Sequence, residues 1–200
     1  IEALGMPVIQ APFEADAQAA YISRKDDVYA VATSDMDSLL HQSKRVLPNL
    51  TLSQKRKTAA GQIIYTSPEL IELDEVLSTL EINQDQLIAL GILVGTDYNP
   101  GGVKGIGPKK ALKIVKENKK IHDIFKQVQP EFDWIAIYDL FKNMQVEKNY
   151  KLAWTKPDVD KIMSLLVDKH DFSEERVNSI LSRVVKQTSK RQQSSLGKWT

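Results

Sequence analysis

Between Gly95 and Gly107, five of thirteen residues are glycine, in the run Gly95-Thr96-Asp97-Tyr98-Asn99-Pro100-Gly101-Gly102-Val103-Lys104-Gly105-Ile106-Gly107. Neither a strand nor an unbroken helix tolerates that density of glycine, because each one adds backbone entropy and offers no side chain to pack. The run is flanked by apolar Leu87-Ile88-Ala89-Leu90 on one side and Pro108-Lys109-Lys110-Ala111-Leu112 on the other. Asn83 is a helix N-cap and Pro108 suits a first helical turn. The run therefore reads as a tight connection between a helix over 84–94 and a second over 109–117.

What such a connection can do follows from its polar atoms. The glycines allow positive φ and close approach of the backbone to another molecule. The second helix opens with N–H groups that have no helical acceptor, beside Lys109, Lys110 and Lys113, and that combination holds phosphate. The pattern resembles a helix–hairpin–helix, spanning about 83–118, which grips a nucleic-acid backbone without reading its sequence. A turn between packed helices with a solvated lysine face is the plainer reading. A Walker loop is excluded, since no Gly-Lys-[Ser/Thr] follows.

The remainder divides into an α/β part and a mainly helical part. Residues 6–10 and 28–32 read as buried strands, with a helix over 14–25 between them carrying Ala15, Ala19 and Ile22 on one stripe. Strand, helix and strand within about thirty residues make a βαβ unit with a parallel sheet. Residues 46–53 and 63–65 read as a hairpin around a basic loop over 55–61. Ser67-Pro68-Glu69 reads as a helix start, and 121–128, 135–142, 160–170 and 173–186 as further helices. The expected organisation is the C-terminal part of an α/β core over 1–66, a helical region over 67–186, and a flexible polar tail over 187–200. Ile1-Glu2-Ala3-Leu4-Gly5 lacks an initiator Met and reads as a helix end capped by Gly5, so the chain is taken as a piece of something longer.

Two acidic pairs follow the two expected strands: Glu14 and Asp16 after the first, Asp35 and Asp37 after the second. In an open parallel sheet, ligands bind outside the carboxyl ends of strands, so both pairs belong on one rim. Carboxylates one residue apart point the same way from an extended loop, which suits Asp35 and Asp37. Glu14 and Asp16 must straddle a helix start to do the same. Clustered carboxylates call for a cation, and hard oxygen donors favour Mg²⁺ or Mn²⁺. A pair of such ions hydrolyses phosphodiesters. Dipole complementation at a helix start and a solvated Asp-x-Asp turn account for the same residues individually, and on residues alone both readings stand.

Composition narrows the rest. There is no cysteine, which removes disulfides and cysteine zinc sites. His41, His122 and His170 share no metal-ligand spacing. No apolar run is long enough to span a bilayer, and the expectation is an intracellular protein without membrane or small-molecule cofactor partners. The formal charge is only +1, but basic residues gather at 55–57, 104–113 and 186–191 while acidic ones sit in pairs. That segregation fits a polyanion held through both metal ions and lysines.

At this point several motifs, in order, resemble one family. They are Gln10-Ala11-Pro12-Phe13-Glu14-Ala15-Asp16-Ala17-Gln18-Ala19-Ala20, Thr33-Ser34-Asp35-Met36-Asp37-Ser38-Leu39-Leu40, Gly95-Thr96-Asp97-Tyr98-Asn99-Pro100-Gly101-Gly102, the Val103-Lys104-Gly105-Ile106-Gly107-Pro108-Lys109 run, and His170-Asp171-Phe172-Ser173-Glu174-Glu175-Arg176-Val177. Together they resemble the flap endonucleases of the XPG-type structure-specific 5′ nucleases, archaeal in character. The resemblance implies a PIN-like parallel-sheet core and cleavage of 5′ DNA flaps with related 5′–3′ exonuclease action, in Okazaki fragment maturation and DNA repair. It implies two Mg²⁺ ions, or Mn²⁺, at Glu14, Asp16, Asp35, Asp37 and Asp97. It also implies DNA contact by Glu14, Gly95, Asp97, Lys104, Gly105, Gly107, Lys109, Lys110 and Lys113, and a K⁺ held by carbonyls of Gly102, Val103 and Ile106. Asp16 departs from the Glu usual in the family and is one methylene shorter. The family also carries an N-terminal region, with two more carboxylates and a helical arch, that this sequence does not contain. The chain alone is accordingly expected to be inactive.

The last residues, Gln193-Ser194-Ser195-Leu196-Gly197-Lys198-Trp199, resemble the motif that docks on the PCNA sliding clamp, with Leu196 and Trp199 as anchors and Gln193 reaching a polar pocket. Thr200 stands where a second aromatic is usual. The resemblance implies a cytoplasmic, nucleoid-associated protein if archaeal and a nuclear one if eukaryotic. Two other readings remain: a non-catalytic DNA- and clamp-binding module, and an RNA-processing relative.

Overall fold

The computed structural model describes residues 1–50, 55–58, 61–65 and 68–196, and the chain divides into two units. One comprises residues 11–148; the other comprises residues 1–10 and 149–200.

The 11–148 unit is built around one helix. Residues Gln84–Val94 form α4, capped by Asn83 in a capping box in which Asn83 accepts from the Gln86 N–H and Gln86 accepts from the Asn83 N–H. Leu87, Ile88, Ala89, Ile92 and Leu93 are all buried, because other helices surround α4. These are α2 (Asp37–Leu40), α5 (Pro108–Glu117), α6 (Ile121–Val128) and α7 (Trp134–Asn143). The expected 84–94 and 109–117 helices are present, and Pro108 stands in the first turn of α5. Asp133 caps α7, accepting from Ile135 and Ala136. Ile88, Ile92, Leu93 and Val115 have no solvent exposure, and burying side chains of that size stabilises by about 2 kcal/mol each.

The sheet departs from expectation. Strands β1 (Arg45–Val46) and β4 (Ile71–Glu72) pair antiparallel, and so do β2 (Lys55–Lys57) and β3 (Ile63–Tyr65). The expected βαβ unit contributes a single parallel bridge, Val31 with Val46, closed by Val31 N–H to Arg45 and Leu47 N–H to Val31. Residues 6–10 form no strand, and Met6 and Val8 are exposed where a core strand would bury them. The basic run 55–57, expected as a loop, is itself a strand; Thr58 and Gly61 close its turn. The expected 46–53 strand is realised only at its start, and residues 51–53 lie outside the described set. The helix expected from Ser67 begins at Leu73 as α3 (Leu73–Leu80), because Ile71 and Glu72 are drawn into pairing with β1. Ser67 itself lies outside the described residues.

Helix α1 (Ala15–Arg24) buries Ala17, Ala20 and Ile22, a face turned from the expected stripe, and leaves Ala15 exposed. Its buried Gln18 exchanges two hydrogen bonds with the Glu147 backbone, at 3.0 and 2.7 Å.

In the other unit, a 3₁₀ turn over Glu2–Leu4 ends at Gly5 with φ 76°, as the sequence suggested. Thr155 and Asp158 donate to the carbonyls of Gly5 and Ala3. Helix α8 (Val159–Met163) continues into a π turn, Ser164–Asp168, and α9 spans Glu174–Leu196. Ile162, Val177 and Leu181 form its small core. The backbone of α9 is helical to Leu196, well past the boundary expected at 186.

Candidate functional site

The acidic residues reach one cleft from three stretches of chain. Glu14 is the N-cap of α1 and has extended backbone, so Glu14 and Asp16 straddle the helix start. Asp35 and Asp37 come from the turn after Val31. Thr33 Oγ1 accepts from the Asp35 N–H at 3.1 Å, and Asp35 Oδ1 accepts from the Asp37 N–H at 2.8 Å. This is a self-bonded turn of the kind short polar side chains build. It delivers Asp37 as the first residue of α2. Asp97 follows α4. All five carboxylates line one cleft of the 11–148 unit, together with His41, Tyr98 and Phe141.

Asp97 is held by a clamp that the sequence did not announce. Asn99 is buried and accepts at Oδ1 from the Thr96 N–H at 3.2 Å and the Thr96 hydroxyl at 2.7 Å. Its Nδ2 donates to the Ile92 carbonyl of α4 at 2.7 Å. The same stretch starts the hairpin: Gly102 N–H donates to Asn99 and Val103 N–H to Leu93, both at 2.9 Å. The buried Asn99 amide thus ties the carboxylate loop to the end of α4, and backbone bonds from Gly102 and Val103 add the hairpin.

The electrostatics show what this costs. Asp37 is pushed up to about 6, first by burial and then by the charges of Asp35 and Asp97, against a hydrogen bond from the Asp97 backbone. Asp16 is raised by burial and by Asp35, while a hydrogen bond from the Thr33 hydroxyl opposes the rise. The Tyr98 hydroxyl is pushed up to about 12 by burial, by the Glu14 charge and by its hydrogen bond to Glu14. Burial pushes His41 down to about 4, so its ring is neutral at neutral pH and adds no positive charge to the cleft. His41 leans on Phe141 (centroids 4.9 Å apart), and Phe141 meets Tyr98 edge to face at 5.4 Å.

Five acids and no lysine or arginine line the cleft, and two of the acids are raised, so the donor set suits a hard divalent cation. Among the described residues, no three histidine or carboxylate side chains converge to hold one ion unaided. That is compatible with Mg²⁺, which takes one or two carboxylates, keeps several waters and draws further oxygens from a substrate phosphate. The residues fit such an ion.

On the hairpin side, Lys104, Lys109, Lys110 and Lys113 are exposed, as are Gly105 and Gly107. Lys110 Nζ donates to the Gly105 carbonyl at 3.3 Å, and Lys113 lies 3.8 Å from Glu117. Gly102 has φ 60°, and a Cβ there would sit 2.4 Å from the Leu93 carbonyl oxygen. Gly107 does not use the positive φ open to glycine and has φ −89°. The backbone at Val103 is partly engaged, since its carbonyl accepts from Ile106 N–H at 3.0 Å. Gln193 and Leu196 fall on the helical backbone of α9, whereas Trp199 lies outside the described residues.

Sequence reasoning missed Thr33, His41, Tyr98 and Phe141. Thr33 and Tyr98 flank flagged carboxylates and could have been found by that adjacency. Phe141 carries no local signal.

Comparison with known proteins gives a consistent result. The XPG I-region family model matches residues 5–97. The chain is 48% identical to flap endonuclease 1 of Pyrococcus horikoshii over 201 residues, covering all of this chain and 58% of that protein. It is 47% identical to the Hyperthermus butylicus protein of the same name, over 93% of this chain and 54% of that one. The chain thus spans a little over half the length of the curated relatives it matches. Among solved structures, flap endonuclease-1 from Methanococcus jannaschii matches with TM-score 0.81 and 38% identity, over 95% of this chain and 56% of that one. The catalytic core of Rad2 in complex with DNA substrate matches at TM-score 0.71 and 23% identity, over 92% of this chain and 66% of that one, and shares the fold.

Proposed function

Starting from a chain related along its whole length to the archaeal flap endonucleases, we propose that it forms the carboxylate-and-hairpin portion of a structure-specific 5′ nuclease. The reaction is hydrolysis of DNA phosphodiester bonds at 5′ flaps, with 5′–3′ exonuclease action, in Okazaki fragment maturation and repair. One observation carries this reading. Carboxylates from three separated segments line one cleft, and the loop bearing Asp97 is locked by Asn99 to the end of α4, to which the exposed, lysine-rich hairpin is bonded through Val103. A cutting site and a backbone grip are thereby held at a fixed spacing.

Two Mg²⁺ ions, or Mn²⁺, held by Glu14, Asp16, Asp35, Asp37 and Asp97 would supply an activated water and charge stabilisation of the leaving oxygen. Backbone at Gly95 and the exposed groups of Lys104, Gly105, Gly107, Lys109, Lys110 and Lys113 hold duplex phosphates. Pro108 brings no N–H, so the first-turn amides of Lys109 and Lys110 are the ones available to an anion. Carbonyls of Gly102, Val103 and Ile106 hold a K⁺ at the hairpin, and Gln193, Leu196 and Trp199 dock on a sliding clamp. Neutral His41 and the rings of Tyr98 and Phe141 exclude water beneath the carboxylates.

The test uses the intact protein on 5′-flap DNA. Asp35→Ala and Asp97→Ala should abolish Mg²⁺-dependent cleavage while leaving the thermal midpoint and flap binding in place. Retained cleavage would refute the nuclease reading. If the unaltered protein binds flaps and never cuts them, it is a non-catalytic DNA-binding module instead.

A further inference from the structure

The acidic pair at the start of α1 has a geometric problem. Glu14 is the N-cap, with extended backbone and no side-chain cap bond, while Asp16 is already helical. Nothing in their own stretch fixes how the pair faces the cleft. The other acidic segments carry their own locks: Asp35 accepts from the Asp37 N–H, and Asn99 holds the Asp97 loop to the Ile92 carbonyl. Apolar packing gives α1 little purchase near its start, since the buried apolar positions there are Ala17 and Ala20. Its far end is pinned, because Ser23 Oγ accepts from the Lys44 N–H at 3.2 Å. The near end needs a pin of its own.

Gln18 supplies it. The side chain is 3% exposed, and its amide meets the backbone of Glu147, 129 residues along the chain, in both directions. Nε2 donates to the Glu147 carbonyl at 3.0 Å, and Oε1 accepts from the Glu147 N–H at 2.7 Å. A side-chain amide offers a donor and an acceptor side by side, so the two bonds fix orientation as well as distance. The grip passes directly to the acids. Gln18 N–H donates to the Glu14 carbonyl at 3.2 Å and closes the turn that holds Glu14 and Asp16.

We propose that Gln18 is a positioning residue: by clasping the Glu147 backbone it holds the first turn of α1, so that the Glu14 and Asp16 carboxylates stay in one cleft with Asp35, Asp37 and Asp97. The inference rests on the nuclease reading of this cleft. Gln18 does not line the cleft itself and acts through the backbone of the turn. Such action matters because a shift of about 1 Å, caused by a residue away from the chemistry, lowers a rate by as much as about 100-fold. Asp16 is short for a ligand and cannot make up a displaced turn by reaching further.

The experiment measures Mn²⁺ binding directly, by the electron paramagnetic resonance signal of free Mn²⁺ in titrations of the intact protein without DNA. Steady-state cleavage of a 5′ flap and the thermal midpoint are measured alongside. Gln18→Met keeps the length of the side chain and removes both bonds. Glu147→Pro leaves α1 unaltered and removes the N–H that Gln18 Oε1 accepts from. Ile124→Ala, at a core position of α6 outside the cleft, controls for lost stability. Gln18→Met should raise the half-saturating Mn²⁺ concentration by about tenfold and lower kcat by about 10- to 100-fold, with KM for DNA unchanged. Glu147→Pro should move both values the same way by a smaller factor. Ile124→Ala should lower the thermal midpoint and leave Mn²⁺ binding and kcat as they were. Unchanged Mn²⁺ binding in Gln18→Met, or in Glu147→Pro where Gln18→Met does not fold, overturns the proposal. So does an equal loss of Mn²⁺ binding in Ile124→Ala. Failure of the underlying reading looks different: Asp35→Ala would then still cut DNA.

Discussion

The cleft and the hairpin adjoin each other in the 11–148 unit and are stabilised in opposite ways. The hairpin grows out of α4, the most buried helix, and its loop bonds to its own backbone and to Asn99. The cleft gathers like charges on short turns, with a parallel bridge behind them, and burial first and like charge second raise two of its acids. One region is bonded to its own backbone and to α4 and offers its outer surface. The other spends stability to hold charges that only a bound cation relieves. On the nuclease reading proposed above, the contrast assigns chemistry to the strained half and the measuring of distance to the relaxed half.

The largest test of this contrast is Gly102→Val. It forces φ 60° on a β-branched residue and drives Cβ into the Leu93 carbonyl, so it should cost more than about 3 kcal/mol by chemical denaturation. At Gly105, φ is 78° but nothing lies within 4 Å of an added Cβ, so Gly105→Ala should cost about 1 kcal/mol and weaken flap binding before Mn²⁺ binding. If metal affinity falls first, the hairpin is not an independent ruler.

Next comes pH, measured on metal-free protein. His41 has a folded value of about 4 against 6.5 when unfolded, so the unfolded chain binds the extra proton and stability falls as pH drops from 6.5 to 4. Asp37 has a folded value of about 6 against 3.8, so its sign is opposite: stability is gained as pH falls through 6. Each effect amounts to at most roughly 3 kcal/mol, and they nearly cancel in that window. His41→Phe should therefore become more stable on acidification from pH 6 to 4, and Asp37→Asn less stable. Parallel curves for both variants would show that the cleft is not strained in this way.

Asn99→Ala should follow, at roughly 2 kcal/mol, because it strands the Ile92 carbonyl and the Thr96 hydroxyl in a buried place. It should also blur the position of the cut on a flap substrate; unchanged cut positions would separate the two regions mechanically. The smallest effect belongs to Lys142→Met. Lys142 pairs with Asp85 at the helical surface, where burial raises the Asp85 carboxyl but the hydrogen bonds from Lys142 and Tyr138 bring it below its usual range. The pair is well exposed, so the loss should be about 0.5 kcal/mol at neutral pH. It should vanish as pH falls below about 4, since a depressed carboxylate stabilises only above that range.

How far the sequence could be read differs between the same two regions. Asn83, Pro108 and the glycine run are local instructions, and α4, the hairpin and α5 follow them residue for residue. The two acidic pairs were also legible, because their spacing from apolar runs placed them on one rim, and the family resemblance added Asp97. The reasoning that placed them was only partly right, since residues 6–10 form no strand and Val31 makes one bridge. The acids converge because turns and caps steer them, not because a broad parallel sheet lies beneath them among the described residues. The basic run 55–57 was misread for a related reason. Its charge suggested a loop, but pairing with Ile63–Tyr65 decides its conformation.

By itself, the sequence determined which residues could carry chemistry and where helices must start and stop, since caps, glycines and prolines act over three or four positions. Tertiary structure alone decided that Phe141, some 44 residues beyond Asp97, would stand beside Tyr98, and that Asn99 would reach back to Ile92. Those outcomes depend on how helices pack around α4, and packing joins residues whose separation along the chain leaves no local trace.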